Sequence, residues 1–257
     1  METQPALSTS NLQVGYKKQA LLTLPDVALQ AGRVAALIGK NGVGKSTLLR
    51  TLTREQKPVS GRVFIQCEDI ENISRRALAQ KVAVVTTDRN ISPGLLAREI
   101  VEMGRHPYTD LTGRLSTTDK RIIEESMQCT GISHKAENRF GELSDGERQK
   151  VMIARALAQQ TPVMVLDEPF SFLDTAARIE ILNLLKKLAL ENNTAILFSS
   201  HDVAQALRMA DELWLLTPDR TFYSGHPDTL IENDTINRLF DSSNVKFDPV
   251  QRDFITK

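Results

Sequence analysis

The stretch "RVAALIGKNGVGKST", Arg33 to Thr47, decides how the rest of the chain is read. "RVAALIG" is a short, continuous apolar run closed by glycine, the pattern of a strand buried on both faces. "GKNGVGKST" then fits G-x-x-x-x-G-K-[ST], and a helix is expected from Lys45 to about Arg54. Strand, glycine-rich turn and helix, in that order, make a cradle for phosphates. Gly39, Gly42 and Gly44 let the backbone curl so that successive N–H groups point inward at a helix N-terminus. Lys45 would bring a point charge to the β- and γ-phosphates, and the Ser46 hydroxyl is placed for Mg²⁺. The whole loop, Gly39, Lys40, Asn41, Gly42, Val43, Gly44, Lys45, Ser46 and Thr47, is therefore the candidate triphosphate site.

A second apolar strand, "PVMVLDE" (Pro162–Glu168), closes on two acids. Ligands of an open parallel sheet gather beyond the carboxyl ends of its strands. Asp167 is thus the candidate second protein ligand for Mg²⁺, which keeps several waters and takes few protein groups. Glu168 is the candidate general base, aimed at a water in line with the γ-phosphate. A positioned base contributes roughly 10²–10⁴-fold. A third apolar strand, "TAILFSSHD", ends in His201, which could contact the γ-phosphate and hold the attacking water.

The remaining pattern fits one architecture. "LQVGY", "VALQ", "GRVFIQC", "KVAVVTT" and "DELWLL" read as further strands. "LLAREIVEMG", "TDKRIIEESMQCTG" and "SDGERQKVMIARALAQQ" read as helices, as does "DTAARIEILNLLKKLALENN", with Ile179, Leu182, Leu185 and Leu188 on its apolar face. Strands with crossover helices, interrupted by an all-helical stretch, imply a parallel-rich α/β core carrying a helical lobe. The tail from about Thr217 is expected to add a short strand pair and a terminal helix. The 257 residues, 41% hydrophobic and 25% charged, suit one soluble globular unit. Basic and acidic residues number 32 each, so no global basic field recruits nucleic acid. Cys67 and Cys129 lack metal-ligand spacing and read as reduced cytosolic thiols. No apolar run reaches the ~18–20 residues of a bilayer span. "METQPALSTS" lacks the basic start and apolar block of a secretory signal.

"GELSDGERQK", Gly141 to Lys150, poses a separate question. Ser144 and Glu147 form the S-x-x-E capping box that starts a helix. Gly146 then falls in the first turn, where glycine costs roughly 1 kcal/mol relative to alanine. Either the helix simply tolerates it, or something such as an anion must come close to that backbone.

Together these pieces resemble the ATP-binding subunit of an ABC transporter, over nearly the whole chain and in order. "GKNGVGKST" resembles Walker A, "LSDGERQ" the ABC signature, "VMVLDEP" Walker B, "FLD" (Phe172–Asp174) the D-loop, and His201 the switch histidine. The resemblance implies a P-loop NTPase core with a mainly parallel sheet, an N-terminal antiparallel β subdomain and an inserted helical lobe. The core would span 1–87 and 161–240, the lobe about 88–160, and a tail about 241–257. It implies ATP and Mg²⁺ as cofactors, with Tyr16 stacking on adenine, worth ~1 kcal/mol beyond area burial. It further implies that Ser144 and Gly146 face the γ-phosphate held by a second copy, the two chains pairing head to tail around two ATP molecules. Having no span of its own, the chain would dock on a separate integral-membrane permease at the cytoplasmic face of the inner membrane. "EIVEMGRHPYTD" (Glu99–Asp110) resembles the corresponding segment of importers for iron-siderophores, haem and vitamin B12, which receive cargo from an exported binding protein.

One position departs from the family. A glutamine usually follows the strand matching "KVAVVT", and here Thr87 stands in its place. Its hydroxyl could reach the metal through a water, or the substitution could weaken coupling between lobe and core. Two other readings stand beside the main one. The first is a soluble ABC-type ATPase acting on nucleic acid or ribosomes; the missing second cassette and coiled-coil arms argue against it. The second is an inactive regulatory cassette, which Glu168 and His201 argue against.

Overall fold

The computed structural model describes residues 4–86, 91–110, 112–240 and 245–256. Thr87, the departure noted above, lies outside them. The chain opens with β1 (Leu7–Tyr16), where an irregularity at Asn11, with φ of +46°, shifts the alternation so that Leu7, Leu12 and Val14 all reach one core. β2 (Gln19–Thr23) and β3 (Ala28–Leu29) pair antiparallel with it. Next come β4 (Val34–Gly39), buried along its whole length, and α1 (Lys45–Leu52). β5 (Ser60–Ile65) returns to the other edge of β1 and turns into β6 (Glu68–Asp69), completing an antiparallel sheet.

α2 (Arg75–Ala79) and β7 (Val82–Val85) lead into a helical stretch of α3 (Ala97–Glu102), α4 (Thr117–Cys129) and α5 (Asp145–Ala158). The chain then alternates through β8 (Val163–Leu166), α6 (Thr175–Asn192), β9 (Ala195–Ser200), α7 (Val203–Met209) and β10 (Glu212–Leu216). Among the described residues the second sheet has the order β11-β10-β4-β9-β8-β7, where β11 (Phe222–Gly225) is the antiparallel edge and the other neighbours are parallel. Its parallel strands are largely apolar on both faces, as strands covered on each side must be. Ala36, Ile38, Met164, Leu166 and Phe198 face the helices. Ala35, Leu37, Val165, Leu197 and Trp214 pack toward α1 and the antiparallel sheet. The fold class expected from the sequence is the one observed.

Two local expectations change. On α6 the buried positions are Ile181, Leu182, Leu185, Leu188 and Ala189, while Ile179 is 53% exposed. Each step of three residues drifts by roughly 60° around a helix of 3.6 residues per turn. A stripe centred on Leu185 therefore keeps Leu182 and Leu188 and loses Ile179. In the tail the helix precedes the strand pair: α8 (Pro227–Glu232) starts on its proline, and the described chain ends in a hairpin of β12 (Val245–Asp248) and β13 (Asp253–Thr256). Phe254 stacks edge-on against both Phe240 and Phe247, which seats the hairpin on the body.

The "GRHPY" segment, Gly104–Tyr108, acts in this chain as a packing lock. A Cβ on Gly104 would lie 2.2 Å from the Arg155 carbonyl of α5, so only glycine lets these elements touch. Arg105, 4% exposed, donates to Asp119 Oδ1 at 2.8 Å, to the Ala158 carbonyl at 2.8 Å and to Gln160 at 3.1 Å. Its guanidinium lies 3.9 Å from the Tyr108 ring centroid, and Tyr108 donates to the Gln159 carbonyl. From α2, Arg76 donates to the carbonyls of Pro107 and Thr109, which ties the helical stretch to the rest of the chain.

Candidate active site

Strand order brings the separate motifs together. β9 lies between β4 and β8, with Ile38 beside Ser200 and Leu166 beside Phe198. The loops after these three strands therefore open at one end of the sheet, where a cleft of about 600 Å³ is lined by Tyr16, Leu21, Asn41, Gly42, Gly44, Lys45, Ser46, Thr47, Asp167 and Glu168.

The glycines of the loop differ in purpose. Gly42 and Gly44 have φ of +81° and +119°, a region that favours glycine. Gly39 has no left-handed φ, and its role is close approach: a Cβ there would sit 2.7 Å from the Leu216 carbonyl of β10 and 2.9 Å from Val43 Cγ1, so glycine admits both the neighbouring strand and the curled loop. α1 begins after Gly44 with no side-chain cap, so its first N–H groups are available to an anion. Lys45 is 5% exposed, and its ammonium donates to the Gly39 carbonyl at 2.8 Å and the Lys40 carbonyl at 3.4 Å. Burial pulls it below the usual lysine range, opposed by the carboxylates of Glu168 and Asp167. Val43 is buried under the loop, and Thr47 shares a 2.9 Å hydrogen bond with the Tyr16 hydroxyl. Tyr16 itself stands at the rim, 54% exposed.

Across the cleft, Glu168 Oε1 lies 3.8 Å from Lys45 Nζ, and Oε2 accepts from Ser171 at 3.2 Å. Its φ is +45°, costing of order 1 kcal/mol or more for a residue with a Cβ. Ser199, a residue the sequence reading missed, holds it there. The Ser199 hydroxyl donates to Asp167 Oδ1 at 2.6 Å and accepts the Glu168 N–H at 2.8 Å. A signal existed: two serines sit inside a strand that is otherwise wholly apolar, and Ser199 is fully buried. Asp167 and Ser46 both line the cleft. An oxygen-only pair of this kind suits Mg²⁺ better than a softer metal.

His201 follows β9 and is exposed; it lines a smaller cavity that also touches Glu168. Ser144 and Gly146 are not among the residues that line the large cleft. Ser144 caps α5 as expected, with reciprocal bonds to Glu147 at 2.8 and 3.3 Å. Gly146 has a reason within the chain: a Cβ there would meet the Ala177 Cβ of α6 at 3.2 Å. The first turns of α5 and α6 touch at that point.

The ABC transporter family model matches residues 22–171. An uncharacterised ABC transporter ATP-binding protein of Methanocaldococcus jannaschii is 42% identical over 95% of this chain and 84% of its own. The achromobactin transport ATP-binding protein CbrD of Dickeya dadantii is 35% identical over 91% of this chain and 87% of its own. Among solved structures, an inward-facing metal-chelate type ABC transporter, described as putative, superposes with a TM-score of 0.81 at 26% identity, over 98% of this chain and 96% of that one. A phosphate cradle and a strand-end acid pair, joined by this breadth of likeness, place the chain in the ABC transporter family, as an ATP-binding subunit with ATPase activity.

Proposed function

We propose that this chain is the ATP-hydrolysing subunit of an importer, working on a separate integral-membrane permease at the cytoplasmic face of the inner membrane, with metal-chelate or cobalamin-type cargo delivered by an exported binding protein. Residues 88–160 act as the lobe that meets the permease, on a core of 1–87 and 161–240 with a tail from 241. Among the described residues no helix is long and apolar enough to cross a membrane, in keeping with a division of labour between subunits.

In this reading Gly39–Thr47 wraps the triphosphate and Tyr16 stacks on the adenine. Ser46 and Asp167 hold Mg²⁺, which when bound neutralises charge on the β- and γ-phosphates. Glu168 takes a proton from the attacking water as that water's oxygen bonds to phosphorus and ADP leaves. His201 holds the γ-phosphate side. Ser144 and Gly146 of a second copy close the site.

The observation that carries the reading is the split among these residues. Lys45, Asp167 and Glu168 converge on one cleft, while Ser144 and Gly146 of the same chain do not line it. A site of this family's chemistry is then finished only by another copy. The test mixes two inactive chains, Lys45→Ala and Ser144→Arg. Mixed pairs contain one site with both defects and one with neither, so ATPase activity should reappear to a fraction of wild type. No recovery, with mixed pairs demonstrated by differential tagging, would refute it.

A further inference from the structure

The first turn of α6 carries a residue that the proposed mechanism leaves unused. Arg178 reaches across to the loop after β9, where its guanidinium pairs with Asp202 at 3.3 Å. Asp202 directly follows His201 and is fixed on all sides. Its N–H donates to Ser200 Oγ at 3.0 Å, and its Oδ1 caps α7 by accepting the Gln205 N–H at 3.0 Å. The ion pair therefore ties the start of α6 to the loop that carries His201.

Arg178 Nε, a donor, and Gln205 Oε1, an acceptor, are both buried, and neither has a partner among the described residues. Both side chains line one cavity of about 20 Å³, together with Glu168, Ser199 and His201. That volume suits a single water, which needs roughly 10–15 Å³ and two or more polar partners. A buried donor and a buried acceptor left unmatched are each costly, and a bridging water satisfies both.

We infer that Arg178 is a positioning residue for ATP hydrolysis: through Asp202, and through one water bridging its Nε to Gln205, it holds the loop that carries His201 beside Glu168. The same helical turn touches α5 at Gly146 and Ala177, and Lys150 of α5 pairs with Glu180 of α6 at 2.7 Å. The turn that carries Arg178 therefore also adjoins the start of α5. The inference rests on the reading that His201 faces the γ-phosphate.

The test measures steady-state ATPase and nucleotide binding of the full chain, for Arg178→Met, Arg178→Lys, Gln205→Leu, His201→Ala and the Arg178→Met/His201→Ala double variant. Arg178→Met should lower kcat about tenfold, with KM and Kd for ATP within about twofold. Arg178→Lys keeps the ion pair but lacks Nε, so it should lose about threefold, as should Gln205→Leu. If Arg178 works through His201, the double variant is no slower than His201→Ala alone. Additive losses would overturn the inference, as would a rise in KM matching the fall in kcat. Should Arg178→Met fold poorly, the matched threefold losses of Arg178→Lys and Gln205→Leu decide, and full activity in both refutes it. The two readings fail differently. An unaffected His201→Ala removes the role of His201 and this inference with it, whereas an impaired His201→Ala beside normal Arg178 variants removes this inference alone.

Discussion

Ser199→Ala tests how the acid pair is held. The change deletes one oxygen that makes two bonds: a donation to Asp167 Oδ1 at 2.6 Å and an acceptance from the Glu168 N–H at 2.8 Å. A hydrogen bond to a charged group is worth about 1.5–3 kcal/mol when buried. Asp167 is only half-buried, so water replaces part of that loss, leaving about 1 kcal/mol. The Glu168 N–H loses its partner inside the protein, which adds about 1–3 kcal/mol. Together the fall in unfolding free energy should be about 2–4 kcal/mol, read by urea denaturation at neutral pH with an unchanged m-value. Function should suffer beyond stability. The left-handed backbone at Glu168 is held by that same bond, so its release frees both acids to reorient. kcat should drop at least tenfold at a temperature where the variant is fully folded, and half-saturation by Mg²⁺ should rise. A variant within 0.5 kcal/mol of wild type, with normal kcat and Mg²⁺ dependence, would show that Ser199 does not organise the pair.

Other outcomes follow from the same geometry. Glu168→Gln keeps the shape and the Ser171 contact but cannot take a proton; kcat should fall by roughly 10²–10⁴ while ATP binding persists, as rapid-quench and binding assays would read. Tyr16→Ala should weaken binding of ATP and ADP alike, by about fivefold on a stacking contribution of ~1 kcal/mol, whereas Tyr16→Phe loses only the Thr47 bond and should stay near wild type. Arg105→Met removes the cation from a buried pair and should destabilise the chain by about 3–5 kcal/mol at neutral pH. The Asp119 carboxyl resists burial, which raises its pKa. It nevertheless sits below the usual range because Ser116 and Arg105 stabilise its charge. Its contribution is therefore fully present above the unfolded value of roughly 4 and is lost as pH falls through the lower folded value. The gap between wild type and Arg105→Met should narrow in acid, and a constant gap would refute the assignment.

The local chemistry of this protein was legible in its residue order. A buried apolar run, a glycine-rich turn and a lysine at one spacing are local requirements, so "RVAALIGKNGVGKST" could be read without knowing its neighbours. So could the acid pair that closes "PVMVLDE" and the capping box at Ser144, because each is set within a few residues. Strand order is different: nothing in "TAILFSSHD" says that β9 lies between β4 and β8. Only that placement makes Ser199 the bridge between Asp167 and Glu168, and only the meeting of α5 with α6 explains Gly146 from within the chain. Half the reason for Gly39 is hidden in the same way: the crowding by Val43 belongs to the local turn, whereas the close approach of Leu216, far along the chain, cannot be seen in local pattern. Phosphate cradles, caps and buried strands depend on contacts between near neighbours, which the sequence carries by itself. The hydrogen bonds and close contacts that aim those parts join residues tens of positions apart, and they exist only once the sheet has chosen its order.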